Sequence, residues 1–105
     1  MTEISVFDLK RRRDADEKLV LLDVREPFEI ATAALPDATL IPMGEIPARV
    51  GELPPQTPIV VMCHAGSRSA RVTQYLNDNG YPDAVNLAGG IDAWSESIDP
   101  GVPRY

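Results

Sequence analysis

The segment CHAGSRS, residues 63–69, carries the residue types and spacing best suited to covalent chemistry, and Cys63 is the only cysteine in the chain. A lone cysteine cannot form an internal disulfide or supply a zinc site alone, so it is a buried filler, half of an intermolecular bridge or a reactive thiol. A cysteine between a strand and the first turn of a helix faces backbone N–H groups that lack intrahelical partners, and these stabilise a thiolate. We therefore predict that Cys63 is a nucleophile rather than an inert core residue.

Ionising this thiol requires more than the end of a helix. A free thiol has a pKa of about 8.5, and lowering it by roughly two units takes about 2.7 kcal/mol. A helix N-terminus contributes about 0.3–2 kcal/mol. We expect the positive charges of Arg68 and Arg71, in the loop or the first helical turn, to supply the remainder. Pairing of Arg68 with a buried carboxylate such as Asp23 is an alternative role, and the two roles are compatible.

The spacing between the cysteine and the arginine separates two kinds of chemistry. Four residues lie between Cys63 and Arg68, whereas phosphatase loops of the tyrosine type have five. The shorter ring encloses less space and favours one extra sulfur atom on Cys63 over a tetrahedral phosphate. Gly66 is expected to supply a positive φ or a close backbone approach. The residues predicted to line the substrate site are His64, Ala65, Gly66, Ser67, Arg68 and Ser69.

Alternating short apolar runs and helix-favouring segments must position this loop. Strands are predicted over Leu19–Val24, Thr39–Ile41, Pro58–Met62 and Ala84–Leu87. Helices are predicted from a Ser5 cap to about Asp14, over residues 27–34, from about Met43 to Leu53, over residues 69–80, and over residues 91–97 after a turn at Gly89 and Gly90.

This alternation indicates an α/β fold with a mainly parallel sheet, whose ligand site lies beyond the carboxyl ends of the strands. Asp23, Arg25 and Cys63 all fall at that edge, so we expect them to lie close together. The length of 105 residues fits one compact domain spanning residues 1–105.

Charge and hydropathy exclude several classes of partner. The formal net charge is −6, which argues against a nucleic-acid-binding face. The basic run Lys10–Arg13 is followed by acidic residues, which favours a solvated helix face. No stretch approaches the roughly 20 apolar residues of a membrane span, and the first residues lack the layout of a signal peptide. We expect a cytoplasmic protein that binds neither nucleic acid nor membrane.

Three segments together resemble the rhodanese-like family. CHAGSRS resembles the family's loop C-x-x-G-x-R-S, LLDVREPFE its LIDVREPxE segment, and LAGGIDAW its L-x-GG-x-x-AW segment, in the family's order. The resemblance implies a three-layer α/β sandwich with a central five-stranded parallel sheet. It also implies that Cys63 takes sulfane sulfur from a small anionic donor such as thiosulfate and passes it to a thiophilic acceptor. No cofactor or metal is implied beyond the covalent persulfide, and Asp23 and Arg25 are expected to organise the loop.

Two further segments bear on the substrate and the partner. Residues 33–38, AALPDA, stand where family members often have GHIPGA, so Ala34 replaces a histidine and we expect donor approach to differ. The tail IDPGVPRY resembles rhodanese modules attached to enzymes that activate sulfur-carrier proteins, which suggests that the partner is a protein. The acceptor we expect is a sulfur-carrier or thioredoxin-like protein. Simple packing of the last helix by the tail is the alternative.

Two other functions compete with sulfur transfer. A noncatalytic interaction module of the same family is one, although such modules often lack the cysteine that this chain keeps. A cysteine phosphatase or arsenate reductase is the other, and the short loop disfavours it.

Overall fold

A computed structural model describes residues 1–105. Its elements, in chain order, are β1 (Thr2–Ile4), α1 (Val6–Asp14), β2 (Val20–Asp23), α2 (Pro27–Thr32), β3 (Thr39–Leu40), a 3-10 turn (Met43–Glu45), α3 (Ile46–Arg49), a second 3-10 turn (Val50–Glu52), β4 (Ile59–Met62), α4 (Ser67–Asp78), β5 (Val85–Leu87) and α5 (Gly90–Ser97).

The five strands form one sheet in the order β1-β5-β4-β2-β3, and every pairing is parallel. This confirms the predicted α/β fold with a five-stranded parallel sheet. Strand β4 is central, so the residue that follows it emerges at the middle of the carboxyl edge. All four β4 residues are buried, as expected of a strand covered on both faces.

Two hydrophobic cores lie on the two faces of the sheet. Val60 and Met62 of β4 pack into the core that includes Leu9 of α1 and Trp94 of α5. Ile59, Val61 and Cys63 alternate with them and join the core that includes Val72 and Leu76 of α4. The helices therefore form the two outer layers, and Cys63 belongs to the side that α4 covers.

Local differences from the sequence predictions have physical causes. Strand β1 was not predicted, because its three residues are mostly exposed and only Ile4 shows a buried position. The predicted helix from Met43 to Leu53 is wrong as a single element: it is divided into a four-residue helix flanked by 3-10 turns. Pro47 is tolerated because it lies in the first turn of α3, where no N–H is needed.

The first helix begins as predicted, since the Asp8 N–H donates to Ser5 Oγ at 3.1 Å. None of the helices is both long enough and apolar enough to span a lipid bilayer.

Candidate active site

The backbone of Cys63 and His64 is held by the first turn of α5. The N–H of Ile91 donates to Cys63 O at 3.0 Å, and the N–H of Asp92 donates to His64 O at 3.0 Å. Gly90 allows this approach, because a Cβ on it would lie 2.5 Å from both carbonyl oxygens and its φ is +60°. The predicted turn at Gly89 and Gly90 is thus also the point where α5 contacts residues 63–69, the cysteine loop.

The sulfur of Cys63 is enclosed by hydrogen-bond donors. Cys63 is 1% exposed, and its Sγ accepts from the Gly66 N–H at 3.1 Å and from Ser69 Oγ at 3.2 Å. Burial by itself would raise the pKa of the thiol. The hydrogen bonds from the Ser69 hydroxyl and from the N–H groups of Ser69, Gly66 and Ala65 outweigh burial and lower the pKa. The loop therefore favours the thiolate.

Gly66 turns the chain from the loop into α4. Its φ is +111°, the positive value predicted from sequence, and it is the N-terminal cap residue of α4. A Cβ at this position would lie 3.3 Å from the backbone nitrogen of Gly89. Its carbonyl accepts from Asn86 Nδ2 at 3.2 Å. Strand β5 therefore also helps to fix the loop whose backbone N–H groups surround the Cys63 sulfur, called the amide ring below.

Arg68 pairs with a carboxylate, but not with Asp23. Its Nη1 and Nη2 donate to Glu29 Oε1 and Oε2 at 2.6 and 2.8 Å. Hydrogen bonds from Arg68 hold the pKa of Glu29 at about 2, well below its usual value, even though burial opposes this. Glu29 in turn raises the pKa of Arg68. The suggested Arg68–Asp23 pair is wrong because Asp23 is already engaged by a nearer guanidinium.

That guanidinium belongs to Arg25, and the Asp23–Arg25 pair is sealed from solvent. Arg25 Nη2 lies 2.7 Å from Asp23 Oδ2, and both side chains are 0% exposed. Burial favours the neutral form of Arg25, but the hydrogen bonds with Asp23 and Tyr105 outweigh it and raise the pKa. Arg25 also donates to Ala33 O at 2.8 Å, which fastens the chain after α2 to the end of β2.

Tyr105 links the two ion pairs. Its hydroxyl donates to Glu29 Oε2 at 2.7 Å and accepts from Arg25 Nη1 at 3.0 Å. Its ring stacks on His64 with centroids 4.1 Å apart and an interplanar angle of 13°. The side chain therefore spans from one flank of the cysteine loop to the carboxylate that holds Arg68 on the other.

The remaining candidate residues lie around this arrangement. Ala65 and Ser67 are exposed at the bend into α4, whereas Ser69 is buried against the sulfur. Arg71 is exposed on α4 and makes no hydrogen bond or ion pair. The donors that lower the pKa of Cys63 are a hydroxyl and amides, so the contribution expected of Arg71 stays a prediction.

Sequence reasoning did not select Glu29 or Tyr105. Glu29 stands within LLDVREPFE, but charge patterning gives no reason to expect a buried glutamate. Tyr105 was considered only as part of a tail. The available signal was the excess of arginines near the loop, which a buried carboxylate would have to balance.

The arrangement suits nucleophilic sulfur chemistry. A thiolate in a ring of donors can attack an electrophilic sulfur, and the same donors can stabilise negative charge on a sulfur attached to it.

Comparison with known proteins agrees with this chemistry. Residues 5–97 match the family described as Rhodanese-like domain. The chain is 40% identical over 95 residues to a "Sulfurtransferase" of Allochromatium vinosum, covering 90% of this chain and 89% of that protein. It is 41% identical over 98 residues to "Putative sulfurtransferase YtwF" of Bacillus subtilis, covering 93% and 94%. The crystal structure of a "Rhodanese-like Domain Protein" from Staphylococcus aureus superposes with a TM-score of 0.87 at 35% identity, covering 100% of this chain and 99% of that one.

Proposed function

Because this chain belongs to the rhodanese-like family, we propose that it is a sulfurtransferase that moves sulfane sulfur from a donor such as thiosulfate to a thiophilic acceptor through a persulfide on Cys63. Its similarity to sulfurtransferases supports sulfur transfer in general. The observation that carries the specific mechanism is the sulfur of Cys63, held by the Gly66 N–H and the Ser69 hydroxyl with a lowered pKa.

The reaction proceeds in two displacements. The Cys63 thiolate attacks the outer sulfur of thiosulfate, the S–S bond breaks, and sulfite leaves with the bonding electrons. Negative charge on the new terminal sulfur is stabilised by the amide ring. A nucleophile such as cyanide or a thiolate then attacks that sulfur and regenerates the Cys63 thiolate. The persulfide itself carries the sulfur, so the cycle needs no cofactor or metal.

Other residues orient this chemistry. We assign His64, which follows Cys63 and stacks on Tyr105, to substrate contact. Asp23 and Arg25 fix the end of β2, and Arg68 contributes charge that Glu29 balances. The acceptor is a protein of the sulfur-carrier or thioredoxin-like kind, and the resemblance of the tail supports a protein partner.

The test is the intact mass of the protein after incubation with thiosulfate, with Cys63→Ser as the matched control. We expect a gain of about 32 Da, one sulfur atom, on the unaltered protein only, and its removal by cyanide. No gain with thiosulfate or with a persulfide donor would refute the mechanism and favour the noncatalytic interaction module. Cys63-dependent hydrolysis of an aryl phosphate would instead favour a phosphatase.

A further inference from the structure

We propose that Glu29 is a specificity-determining residue: by cancelling the charge of Arg68 beside Cys63, it makes the site select sulfur donors of low negative charge over dianions. The proposal rests on the proposed function. It concerns which sulfane-sulfur compounds load Cys63, and it assigns a role to a residue in the loop's surroundings that makes no contact with the sulfur.

Both oxygens of Glu29 are fully engaged, so its charge is fixed in place. Oε1 accepts from Arg68 Nη1 at 2.6 Å and from the Glu26 N–H at 3.1 Å. Oε2 accepts from Arg68 Nη2 at 2.8 Å and from the Tyr105 hydroxyl at 2.7 Å. A pKa of about 2 keeps this carboxylate ionised at neutral pH.

The positive charge of Arg68, which Glu29 cancels, interacts with the charge of Cys63. Glu29 is the main cause of the raised pKa of Arg68, and the charge of Cys63 also contributes to it. Arg25, the other guanidinium at this edge of the sheet, is cancelled by Asp23. Of the arginines that follow β2 and β4, only Arg71 lacks a carboxylate partner, and its side chain is exposed.

Neither ion pair therefore offsets the negative charge of an ionised Cys63. The Glu29–Arg68 pair beside the thiolate is neutral and the Asp23–Arg25 pair is sealed from solvent, in a chain whose formal net charge is −6. A dianion such as thiosulfate is repelled about twice as strongly as a monoanion, and a neutral donor is not repelled.

The donor class that fits is a persulfide of low charge. The Cys63 thiolate attacks the outer sulfur of R–S–SH, the S–S bond breaks, and R–S⁻ leaves with the bonding electrons. The product is Cys63–S–SH, so atoms and charge balance without an added oxidant or reductant.

Two probe donors that differ by one charge test the proposal: thiosulfate, a dianion, and methanethiosulfonate, a monoanion in which a methyl group replaces one oxygen. Loading of Cys63 is followed by intact mass over a range of donor concentrations. In Glu29→Gln the amide keeps one oxygen acceptor but removes the charge. We expect kcat/KM for thiosulfate to rise roughly threefold to tenfold more than that for methanethiosulfonate, mainly through KM.

Glu52→Gln is the matched control, because it removes the same charge from an exposed glutamate paired with Arg49. We expect it to leave the ratio of the two donors unchanged. An unchanged ratio in Glu29→Gln, or an equal change in Glu52→Gln, would overturn the proposal while loading of Cys63 still upheld the proposed function. Failure of all donors to load Cys63 would refute the proposed function itself.

A second measurement needs no variant. Salt screens repulsion and attraction alike, so the direction of its effect reports the sign of the field that the donor meets. We expect loading of the unaltered protein by thiosulfate to accelerate as ionic strength rises, and more than loading by methanethiosulfonate. Slower loading by thiosulfate at higher salt would show an attractive site and overturn the proposal, even if Glu29→Gln did not fold.

Discussion

Two carboxylate–guanidinium pairs lie at the same edge of the sheet, and they differ in what surrounds them. Asp23 and Arg25 are both 0% exposed and come from the end of one strand. The side chains of Glu29 and Arg68 are 6% and 31% exposed and join α2 to α4. The first pair is enclosed by backbone, whereas the second borders the loop of Cys63. The same kind of ion pair therefore fixes the chain in one place and sets the charge beside the Cys63 sulfur in the other.

The two pairs also differ in what their loss would leave behind. A buried ion pair contributes little net stability compared with apolar residues, but removing one partner leaves an uncompensated charge that is costly. Removing one partner of a pair that solvent reaches costs less free energy of unfolding, because water can solvate the charge that remains. Effects on stability should therefore dominate for the sealed pair and effects on reactivity for the open one.

The largest effect is expected from Arg25→Ala. Asp23 would be left buried without its partner, and the bond to Ala33 O would be lost, so we expect a loss of about 3–5 kcal/mol in the free energy of unfolding. Urea denaturation measures it. A loss below about 1 kcal/mol would contradict the distinction between the pairs. Asp23→Leu combined with Arg25→Met is the control, and we expect it to be less damaging than Arg25→Ala.

Acidification should act on the open pair. The pKa of Glu29 is about 2 in the folded protein, against an ordinary value of 4.5. A folded pKa below the unfolded one means that this contribution is fully present above about pH 4.5 and is lost as the pH falls toward 2. Its full size is about 3 kcal/mol. Denaturant titrations between pH 7 and 3 should show a smaller decline for Glu29→Gln, and equal slopes would argue against a strongly lowered pKa.

Arg68→Gln should separate reactivity from stability. It leaves the charge of Glu29 uncancelled, so we expect the free energy of unfolding to fall by about 1–3 kcal/mol. We expect the rate at which Cys63 is loaded to fall by a larger factor, because the extra negative charge opposes both the thiolate and an anionic donor. Adding Glu29→Gln to Arg68→Gln should restore part of the loading rate. A double variant as slow as Arg68→Gln would mean that Arg68 acts by direct contact rather than through charge balance.

The smallest effect is expected from Tyr105→Phe. The hydroxyl that joins the two pairs is removed, but the ring can still stack on His64, so we expect about 1 kcal/mol of destabilisation. The ratio of thiosulfate to methanethiosulfonate loading should stay the same, because the charge of Glu29 is retained. Thermal unfolding and the two loading rates check this, and a changed ratio would show that the phenol itself influences donor choice.

Sequence patterns predicted correctly those structural features that depend on residues close together in the chain. The apolar run of β4, the loop after it and the positive φ of Gly66 all follow from short segments. The partners in the site depend on tertiary proximity instead. Glu29 and Arg68 are separated by 39 positions, and Tyr105 meets Glu29 across 76. No local pattern specifies such pairs, and Asp23 was an equally reasonable partner for Arg68 until the sheet placed Arg25 against it.

Through its contact with the cysteine loop, α5 fixes the direction in which one backbone N–H group of that loop points. The C=O and N–H of one peptide unit point in opposite directions. The Asp92 N–H donates to His64 O, and the same peptide unit carries the Ala65 N–H, which helps to lower the pKa of Cys63. A tilt of α5 would therefore rotate this donor away from Cys63. The pKa of Cys63 thus depends on the position of a helix that supplies no side chain to its sulfur.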